Sequence, residues 1–339
     1  MKSTIHDVAK MAGVSVATVS RVVNGNYPVR EPTRLRVQQA IDALEYVPNL
    51  QARELNTRHS FSVGIVVPSF SSMEFTGALD SIEDCLRDRS YSLLFSCAGA
   101  DVARESECVR GLMRRNVSGI IVVEPNPDHF DRDFYEGIVQ RIPTVFLHGG
   151  QEIPHASYLG NDERQGTMDA ISHLLWMGHQ RILFVKSESD PFDRVKEEAY
   201  RALMNEAGLF NDSYILGVSG GSGPEAAECA AVALAASLPS SDATGIFCCN
   251  DRMAAGAMRA CIRLGKRVPE DISVMGFGNL SMGQYLTPRL TTMDRDMASM
   301  GVAAARLLLE QLDSPMEGRT VMLGTNLVKR ESTGPCGAS

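Results

Sequence analysis

The sequence predicts an α/β protein, with a small helical head followed by a body of two lobes, each built on a doubly wound parallel sheet. Three observations support this. Within the first 60 residues, short amphipathic patterns flank a glycine, which indicates small helices joined by a tight turn. From Ser62 onward, apolar runs alternate with amphipathic helical patterns, as in parallel strands covered by helices on both faces. The alternation restarts at Asp162, which indicates a second sheet.

The head opens with a predicted helix whose two ends are encoded locally. Thr4 can accept a hydrogen bond from the backbone three residues on, and Asp7 can reach back to Thr4. Gly13 tolerates the left-handed conformation that ends a helix at a sharp turn. Ser15 is then placed to cap a second helix. Two short helices joined in this way are typical of the helix-turn-helix, whose second helix enters the major groove of DNA.

The second helix is predicted to have a valine-rich core face and a small, polar outer face. The outer face holds Val16, Ala17, Ser20 and Arg21. A third helix is predicted over residues 33–44. Its predicted core residues are Leu35, Val37, Ile41 and Leu44. A helical hairpin without any ligand is the alternative interpretation of this head.

Charge and cysteine content indicate a cytoplasmic protein with a DNA-facing end. Residues 1–60 hold eight Lys or Arg and five Asp or Glu, a net of +3, so the rest must carry −11 to give the total of −8. A weakly basic head on an acidic body favours DNA binding at one end; chance variation is the alternative. The eight cysteines lack Cys-x-x-Cys spacing and are expected to be reduced. We see no leader peptide and no membrane-spanning apolar run, and expect no membrane partner.

The body is predicted to alternate strands and helices in order along the chain. The predicted strands cover 63–67, 91–96, 119–123, 144–147, 181–185, 214–218, 245–248 and 272–275. The predicted helices cover 74–88, 103–115, 131–140, 162–177, 193–207, 224–237, 251–264 and 296–311. Nothing in this pattern has the spacing of a metal site, a P-loop or a nucleophile elbow, so we expect neither an enzyme nor a cofactor.

Two stretches of the head resemble the DNA-binding head and hinge of the lactose-repressor (LacI/GalR) family of bacterial transcription regulators. They are TIHDVAKMAGVSVATVSRVVNG at 4–25 and YVPNLQAREL at 46–55. The body is similar to the periplasmic-binding-protein-like effector domain of that family, with GHQRI at 178–182 and VPEDISVMGF at 268–277. The resemblance implies a regulator, most often a repressor, that binds a pseudopalindromic operator as a homodimer and responds to a small effector. A sugar-binding protein without operator function is the alternative.

The resemblance also implies domain boundaries. The helix-turn-helix head would cover 1–47, the hinge helix and linker 48–60, the effector and dimerisation domain 61–332, and an unstructured tail 333–339. The chain would cross between lobes three times. Lobe one would then hold 61–160 and 292–319, and lobe two would hold 161–291 and 320–332.

The family positions imply how DNA is read. Val16, Ala17 and Arg21 are expected to meet base edges, and Arg21 can donate two hydrogen bonds to guanine. Phosphate contacts are expected from Thr4, Ser15, Thr18, Ser20 and Asn24. In the hinge, DNA contacts are expected from Asn49, Ala52, Arg53 and Leu55. Leu55 matches a leucine that wedges into the minor groove and bends the duplex. The alternatives are a solvated Arg21 and ordinary core packing of Leu55.

The effector cleft is expected between the lobes, at the carboxyl ends of the strands. By family position its candidate residues are Glu74, Phe75, His148, Lys196, Ser219, Asn250, Asn279 and Arg295. Two carboxylates that usually accept from sugar hydroxyls are missing here, after Leu147 and after Phe277. Lys196 and Arg295 would then face a single acid, Glu74. We therefore expect an anionic effector, such as a sugar acid or a phosphorylated metabolite. The alternatives are side chains paired with each other, and a site that responds to a partner protein.

Overall fold

The computed structural model describes residues 3–24, 27–47, 60–70, 73–99, 101–125, 128–220, 223–314 and 317–337. The chain divides into two compact units, Met1–Ser60 and Phe61–Ser339. No helix in the described ranges is long and apolar enough to cross a bilayer.

The head contains three helices, α1 (Ile5–Ala12), α2 (Val16–Asn24) and α3 (Glu31–Ala43). Thr4 and Asp7 form the expected capping box at the start of α1. Gly13 ends α1 with φ +65°, in the left-handed region. The sequence signals for the ends of α1 are therefore confirmed.

The core of the head consists of small apolar side chains from all three helices. Its fully buried members are Val8, Ala9, Ala12, Val19, Val37 and Ala40. Leu35 was predicted to belong to this core, but half of its surface is exposed (50%). The helical period explains the error: Val37, Ala40, Ile41 and Leu44 share one face of α3, and Leu35 lies about 200° away from Val37.

Lobe one is a six-stranded sheet in the order β11-β5-β4-β3-β1-β2, with every neighbouring pair parallel. Helices α4 (Thr76–Asp88) and α11 (Met297–Asp313) cover one face. Helices α5 (Val102–Arg114) and α6 (Arg132–Val139) cover the other. The strands are β1 (Ser62–Val67), β2 (Ser92–Cys97), β3 (Gly119–Val123), β4 (Thr144–Leu147), β5 (Ser157–Asn161) and β11 (Thr320–Leu323).

Lobe two repeats this plan in the order β12-β10-β9-β8-β6-β7, and only the β10–β12 pair is antiparallel. Its helices are α7 (Glu163–Trp176), α8 (Asp193–Glu206), α9 (Ala226–Ser237) and α10 (Asp251–Arg263). Its strands are β6 (Ile182–Ser187), β7 (Ile215–Val218), β8 (Gly245–Cys248), β9 (Ser273–Phe277), β10 (Thr291–Asp294) and β12 (Asn326–Val328).

Strand pairing corrects all three predicted lobe boundaries, the first by a single residue, because Asn161 is the last residue of β5 in lobe one. Residues 292–294 belong to lobe two, because β10 extends its sheet beside β9. Residues 320–323 belong to lobe one, because β11 pairs with β5. The crossovers therefore follow Asn161, Asp294 and Leu323. The three crossovers are hydrogen-bonded to one another: the Asp162 backbone N–H donates to the Leu323 carbonyl, and the Asn161 side-chain amide donates to the Arg295 carbonyl, both at 2.9 Å.

An unstructured tail was predicted over 333–339, but residues 333–336 pack on lobe two. Thr333 is buried and its hydroxyl bonds that of Thr291 at 3.0 Å. The backbone of Gly334 bonds the Ser273 hydroxyl and the His179 ring. The backbone N–H and C=O of Gly334 supply hydrogen-bond partners for the buried side chains of Ser273 and His179. A hydropathy pattern does not reveal this kind of contact.

Candidate functional site

The exposed face of α2 is set by the packing of its opposite face. Val19 is completely buried in the head, and the Ser15 hydroxyl caps the helix by accepting from the Thr18 backbone N–H at 3.2 Å. Ala17 and Arg21 are exposed, as the sequence predicts. Val16 is only half-exposed, since it also packs against the head core. Of the three residues predicted to read bases, Ala17 and Arg21 are thus the exposed ones.

Arg21 has an aromatic neighbour that the sequence did not suggest. Its guanidinium lies 5.6 Å from the ring centroid of Tyr27, which is itself 66% exposed. Stacking on an aromatic face orders a long cationic side chain without neutralising its donors. Arg21 is therefore held at the surface with its hydrogen-bonding edge available.

The expected phosphate-contacting hydroxyls are partly engaged within the head. The Thr4 hydroxyl donates to Asp7 at 2.7 Å, and the Ser15 and Thr18 hydroxyls lie 2.9 Å apart. Ser20 is half-buried. The side chain of Asn24 and the expected hinge contacts Asn49, Ala52, Arg53 and Leu55 lie outside the described residues.

In the body, the carboxyl ends of the strands meet in a buried group of charges centred on Glu163. Glu163 is the first residue of α7, and its oxygens lie 2.6 Å from the Lys196 Nζ and 2.9 Å from an Arg295 Nη. Asp193, one turn before Lys196 on α8, lies 3.3 Å from the same Nζ. All four side chains are at most 8% exposed. Each buried cation thus has a carboxylate partner inside the protein.

The aromatic ring of Phe277, the last residue of β9, lies next to both cations. The Lys196 Nζ and the Arg295 guanidinium carbon are 5.1 and 5.2 Å from its centroid. A ring face attracts cations by its quadrupole, more strongly when water is excluded. Phe277 and Glu163 together hold the two charges in place.

Lobe one contributes Glu74 and His148 to the same region, and Glu124 interacts electrostatically with Glu74, Glu163 and Arg295 there. Glu74 follows β1, and its carboxylate is 3.8 Å from Arg295. His148 follows β4 with φ +55°; its Nε2 lies 3.8 Å from Glu163, and its ring stacks on Phe192 of lobe two at 5.0 Å. The cleft cluster is defined here as Glu74, Glu124, His148, Glu163, Asp193, Lys196 and Arg295.

Burial and charge set the protonation states of the cluster. Burial alone would raise the pKa of Glu163, but Arg295 and Lys196 hold that pKa at about 2. Burial lowers the pKa of His148 to about 4, so its ring is neutral near neutral pH. Burial raises the pKa of Glu74, and burial with the nearby Glu74 charge raises the pKa of Glu124 well above its usual range.

Four of the expected effector residues lie in the cleft cluster and one beside it. Glu74, His148, Lys196 and Arg295 are brought together, and the Phe75 ring lies 6.0 Å from that of His148. The other three have different positions or roles. Ser219 is exposed after β7, Asn250 caps α10 through the Met253 N–H, and Asn279 accepts from Arg330 at 2.6 Å.

Sequence reasoning missed Glu163 and Asp193, the acids that matter most to the two cations. The premise of an acid-poor site is wrong, because Glu163 and Asp193 occupy it. A signal existed for each: Glu163 lies two residues after the end of β5, where the chain crosses between the lobes, and Asp193 precedes Lys196 by three residues on one helix. The anionic effector stays an untested prediction, but it has lost this physical basis.

A cavity of about 610 Å³ opens beside the cluster, between the lobes. His148 and Glu163 form part of its wall, together with Tyr158, Phe192 and Met322. Arg194 of lobe two, which also lines it, reaches across to Asp128 of lobe one at 2.5 Å. The cavity has the volume of a small-molecule site, and its wall combines apolar surface with ionisable side chains from both lobes.

A helix-turn-helix head joined to a two-lobed body with a cleft defines a class, the DNA-binding transcription regulators with a ligand-binding-type domain. Comparison with known proteins identifies the family. Residues 4–49 match the pattern of "Bacterial regulatory proteins, lacI family", and residues 171–333 match "Periplasmic binding protein-like domain". The chain belongs to the LacI family of bacterial transcription regulators, and like its relatives it is a DNA-binding repressor.

Individual relatives match over nearly the whole chain. The HTH-type transcriptional repressor PurR of Pasteurella multocida (strain Pm70) is 32% identical over 335 residues, 97% of this chain and 98% of that protein. Catabolite control protein A of Priestia megaterium is 31% identical over 343 residues, 98% and 100% of the two chains. The lac repressor dimer bound to operator and the anti-inducer ONPF superposes with a TM-score of 0.84 at 27% identity, covering 98% and 100%.

Proposed function

We propose that this repressor binds a pseudopalindromic operator as a homodimer in the cytoplasm, and that a small polar molecule in the cleft controls its affinity for DNA. The exposed face of α2, with Arg21 ordered on Tyr27, carries the DNA part of the proposal. Two copies are needed because a head of three short helices reads one half-site, and a palindrome presents two.

Base reading is assigned mainly to Arg21, with Ala17 and the half-exposed Val16 contacting thymine methyls. Ser15, Thr18, Ser20, Thr4 and Asn24 act by positioning the head on phosphates. The hinge residues Asn49, Ala52, Arg53 and Leu55 complete the contact in the minor groove. The roles of the head residues are supported by the family match over 4–49 and by the exposure of Ala17 and Arg21 on α2, whereas those of Ala52, Arg53 and Leu55 rest on the resemblance of residues 46–55 to the family's hinge.

Control by a small molecule is supported by the cavity beside the cleft cluster. It is bounded by both lobes, and the lobes meet there through His148 on Phe192 and Arg194 on Asp128. A ligand that binds one arrangement of the lobes more tightly than another shifts their equilibrium by that difference in affinity. The movement would change the separation of the two heads in the dimer.

The experiment is to select operator sequences from random DNA with the full-length protein and to measure affinity by fluorescence anisotropy. A site of two inverted half-sites bound by two chains is expected. Selected sites without inverted symmetry, or one chain bound per site, would contradict the homodimer. Adding pools of small metabolites to the preformed complex then tests the effector: at least one pool should change the affinity of wild type, and none should act if the cleft has no ligand.

A further inference from the structure

The charged residues of the cleft cluster are already paired within the chain. Glu163 lies 2.6 Å from the Lys196 Nζ and 2.9 Å from an Arg295 Nη. Glu74 lies 3.8 Å from Arg295, and the positive charge of Arg252 favours its ionised form further. All of these side chains are at most 10% exposed. A ligand placed among them would separate the pairs and leave buried charges without partners, which is costly.

The cluster and the adjoining cavity are separate places in the cleft. Of the eight residues expected to bind the effector, only His148 lines the cavity. Glu74 Oε1, an acceptor, and Arg295 Nε, a donor, have no hydrogen-bond partner in the described part of the chain, but neither residue lines the cavity. They belong to an acid and a base that face each other, so together they favour a ligand of neither charge.

The cavity presents an apolar surface to which both lobes contribute. Tyr158 and Met322 line it from lobe one, and Phe192 and Val195 line it from lobe two. Tyr158 packs one ring face on the buried Phe146, with the centroids 5.1 Å apart. Val195 and Met322 are 44% and 58% exposed, so apolar surface remains uncovered there. Aromatic side chains and a thioether make favourable contacts with another ring.

Several polar groups of the cavity wall have partners inside the protein. The Asp162 carboxylate accepts from a backbone N–H of α7 at 2.9 Å, and the Tyr158 hydroxyl accepts from the Ile153 N–H at 2.8 Å. Arg194 pairs with Asp128 across the lobes at 2.5 Å. A ligand gains little from polar groups that are already bonded, because it would exchange one hydrogen bond for another.

The ionisable side chains of the wall are balanced in charge. Two acids, Asp162 and Glu198, are matched by two bases, Arg164 and Arg194. The third acid of the wall is the one paired inside the cluster. His148 is neutral near neutral pH, because burial lowers its pKa to about 4. The wall therefore gives no electrostatic preference for an anion or for a cation.

Asn161 supplies the wall with a buried acceptor. It is the last residue of β5, is only 4% exposed and lines the cavity. Its side-chain N–H donates to the Arg295 carbonyl at 2.9 Å, which fixes the orientation of the amide. Its Oδ1 has no hydrogen-bond partner among the described residues. Because a buried acceptor without a donor is unfavourable, this position favours a ligand that brings an N–H or O–H group.

We propose that the effector binds in this cavity, beside the cleft cluster rather than within it, and that it is an uncharged molecule with an aromatic ring and an N–H or O–H donor. The inference rests on the proposed control by a cleft ligand, and it specifies the position and the chemistry of that ligand. The ring packs on the apolar side chains of both lobes, and the donor bonds the Asn161 Oδ1. Both features differ from the anionic effector expected from the sequence.

A ligand at this position acts on the contacts between the lobes. His148, Phe192 and Arg194 line the cavity, and the same three side chains make the ring stack and the ion pair that join lobe one to lobe two. A molecule seated against them changes the free energy of those contacts, and with it the equilibrium between arrangements of the lobes.

The test uses saturation-transfer difference NMR on the full-length protein, with indole as the probe because it is uncharged, aromatic and carries one N–H. Indole should receive magnetisation from the protein, and glucose, which has no ring, should not. 1-Methylindole lacks the donor and should bind about three- to tenfold more weakly, the size of one net hydrogen bond. Indole-3-acetate and tryptamine add a charge of either sign and should each bind about threefold or more weakly than indole.

Two substitutions locate the probe. Val195→Trp and Met322→Trp fill the cavity from opposite lobes and should abolish the indole signal. Both side chains are exposed, so the fold should tolerate the change. Val232→Trp is the matched control: Val232 is 57% exposed on α9 and does not line the cavity, and this variant should bind indole like wild type. Melting temperatures of the three variants check that each is folded.

The inference is overturned if indole gives no signal, if both cavity-filling variants bind it like wild type, or if 1-methylindole, glucose or a charged analogue binds as tightly as indole. Operator binding of the same samples separates these outcomes from failure of the proposed function. A protein that binds its operator but not indole refutes only the site and its chemistry, whereas failure to select an operator refutes the proposed function itself.

Discussion

At the scale of single residues, Glu163 determines whether the body can keep two cations in its interior. Its carboxylate contacts both Lys196 and Arg295, and it stands at the first position of α7, where the helix dipole also favours an anion. The pairing of Glu163 with either cation could not be predicted from local spacing, because Glu163 lies on a different helix from Lys196 and precedes Arg295 by more than a hundred residues. Local spacing reveals only the Asp193–Lys196 pair.

Glu163→Gln should destabilise the body by about 3–5 kcal/mol, since it leaves two buried charges without their shared partner. Urea unfolding of the full-length protein measures this. Glu198→Gln removes the same charge from an exposed position near the same cavity and should change stability by less than about 0.5 kcal/mol. Equal effects of the two variants would show that Glu163 does not compensate the cations.

Arg21→Ala should weaken operator binding by about 1–3 kcal/mol, the size of one bidentate contact to guanine. Anisotropy with the selected operator and with random DNA of equal length measures both affinities. Arg36→Ala, which removes an exposed charge from α3, should affect both DNAs equally. If Arg21→Ala also affects them equally, Arg21 contacts only phosphate.

At the scale of elements, the signals of the head were the most predictive. A capping box, a glycine end and a serine cap are local, so Thr4, Gly13 and Ser15 specify α1 and the start of α2 without tertiary context. Strands β5, β10, β11 and β12 were not predicted. They are three to five residues long. The burial of β5 and β11 alternates and β12 is mostly exposed, whereas β10 is buried but begins with two threonines, so no apolar run marks any of the four.

The hinge is the element on which operator bending should depend. Leu55→Ala should reduce both the bend and the specific affinity, because an apolar wedge is needed to unstack a base step. Gel mobility of circularly permuted operators measures the bend. Leu55→Met keeps the apolar volume of the side chain and should therefore retain most of the bend. An unchanged bend with Leu55→Ala would exclude the wedge.

At the scale of the whole molecule, the fold of two sheets was predictable from the alternation of apolar runs, but the closeness of the lobes was not. The contacts between them, His148 on Phe192 and Arg194 with Asp128, join residues whose proximity depends on where both sheets end. For the same reason, the sequence did not reveal which charges in the cleft are paired, since that pairing also depends on where both sheets end. Position by family resemblance brought four ionisable residues together correctly but could not show which of them were already paired.

The stability of the body should fall at acidic pH, over a pH range set by the pKa of Glu163. Its pKa is about 2 in the folded protein, below its ordinary 4.5, so its contribution is present above pH 4.5 and is lost as the pH falls from 4.5 towards 2. Thermal melting across this window should show a steeper loss for wild type than for Glu163→Gln. Parallel curves would mean that Glu163 is not held ionised by Lys196 and Arg295.

The order of the strands along the chain has a consequence for how the protein is made. Sheet one is completed by α11 and β11, and sheet two by β12 and the segment at 333–336, all of which follow the rest of both lobes in the sequence. During synthesis, the head can fold as soon as it leaves the ribosome, since its three helices contact one another within 60 residues. Neither sheet can be completed before the residues after 296 have been synthesised. The nascent chain therefore exposes two incomplete sheets at the same time. Chaperones that bind exposed strand edges can bind either lobe until translation is nearly complete.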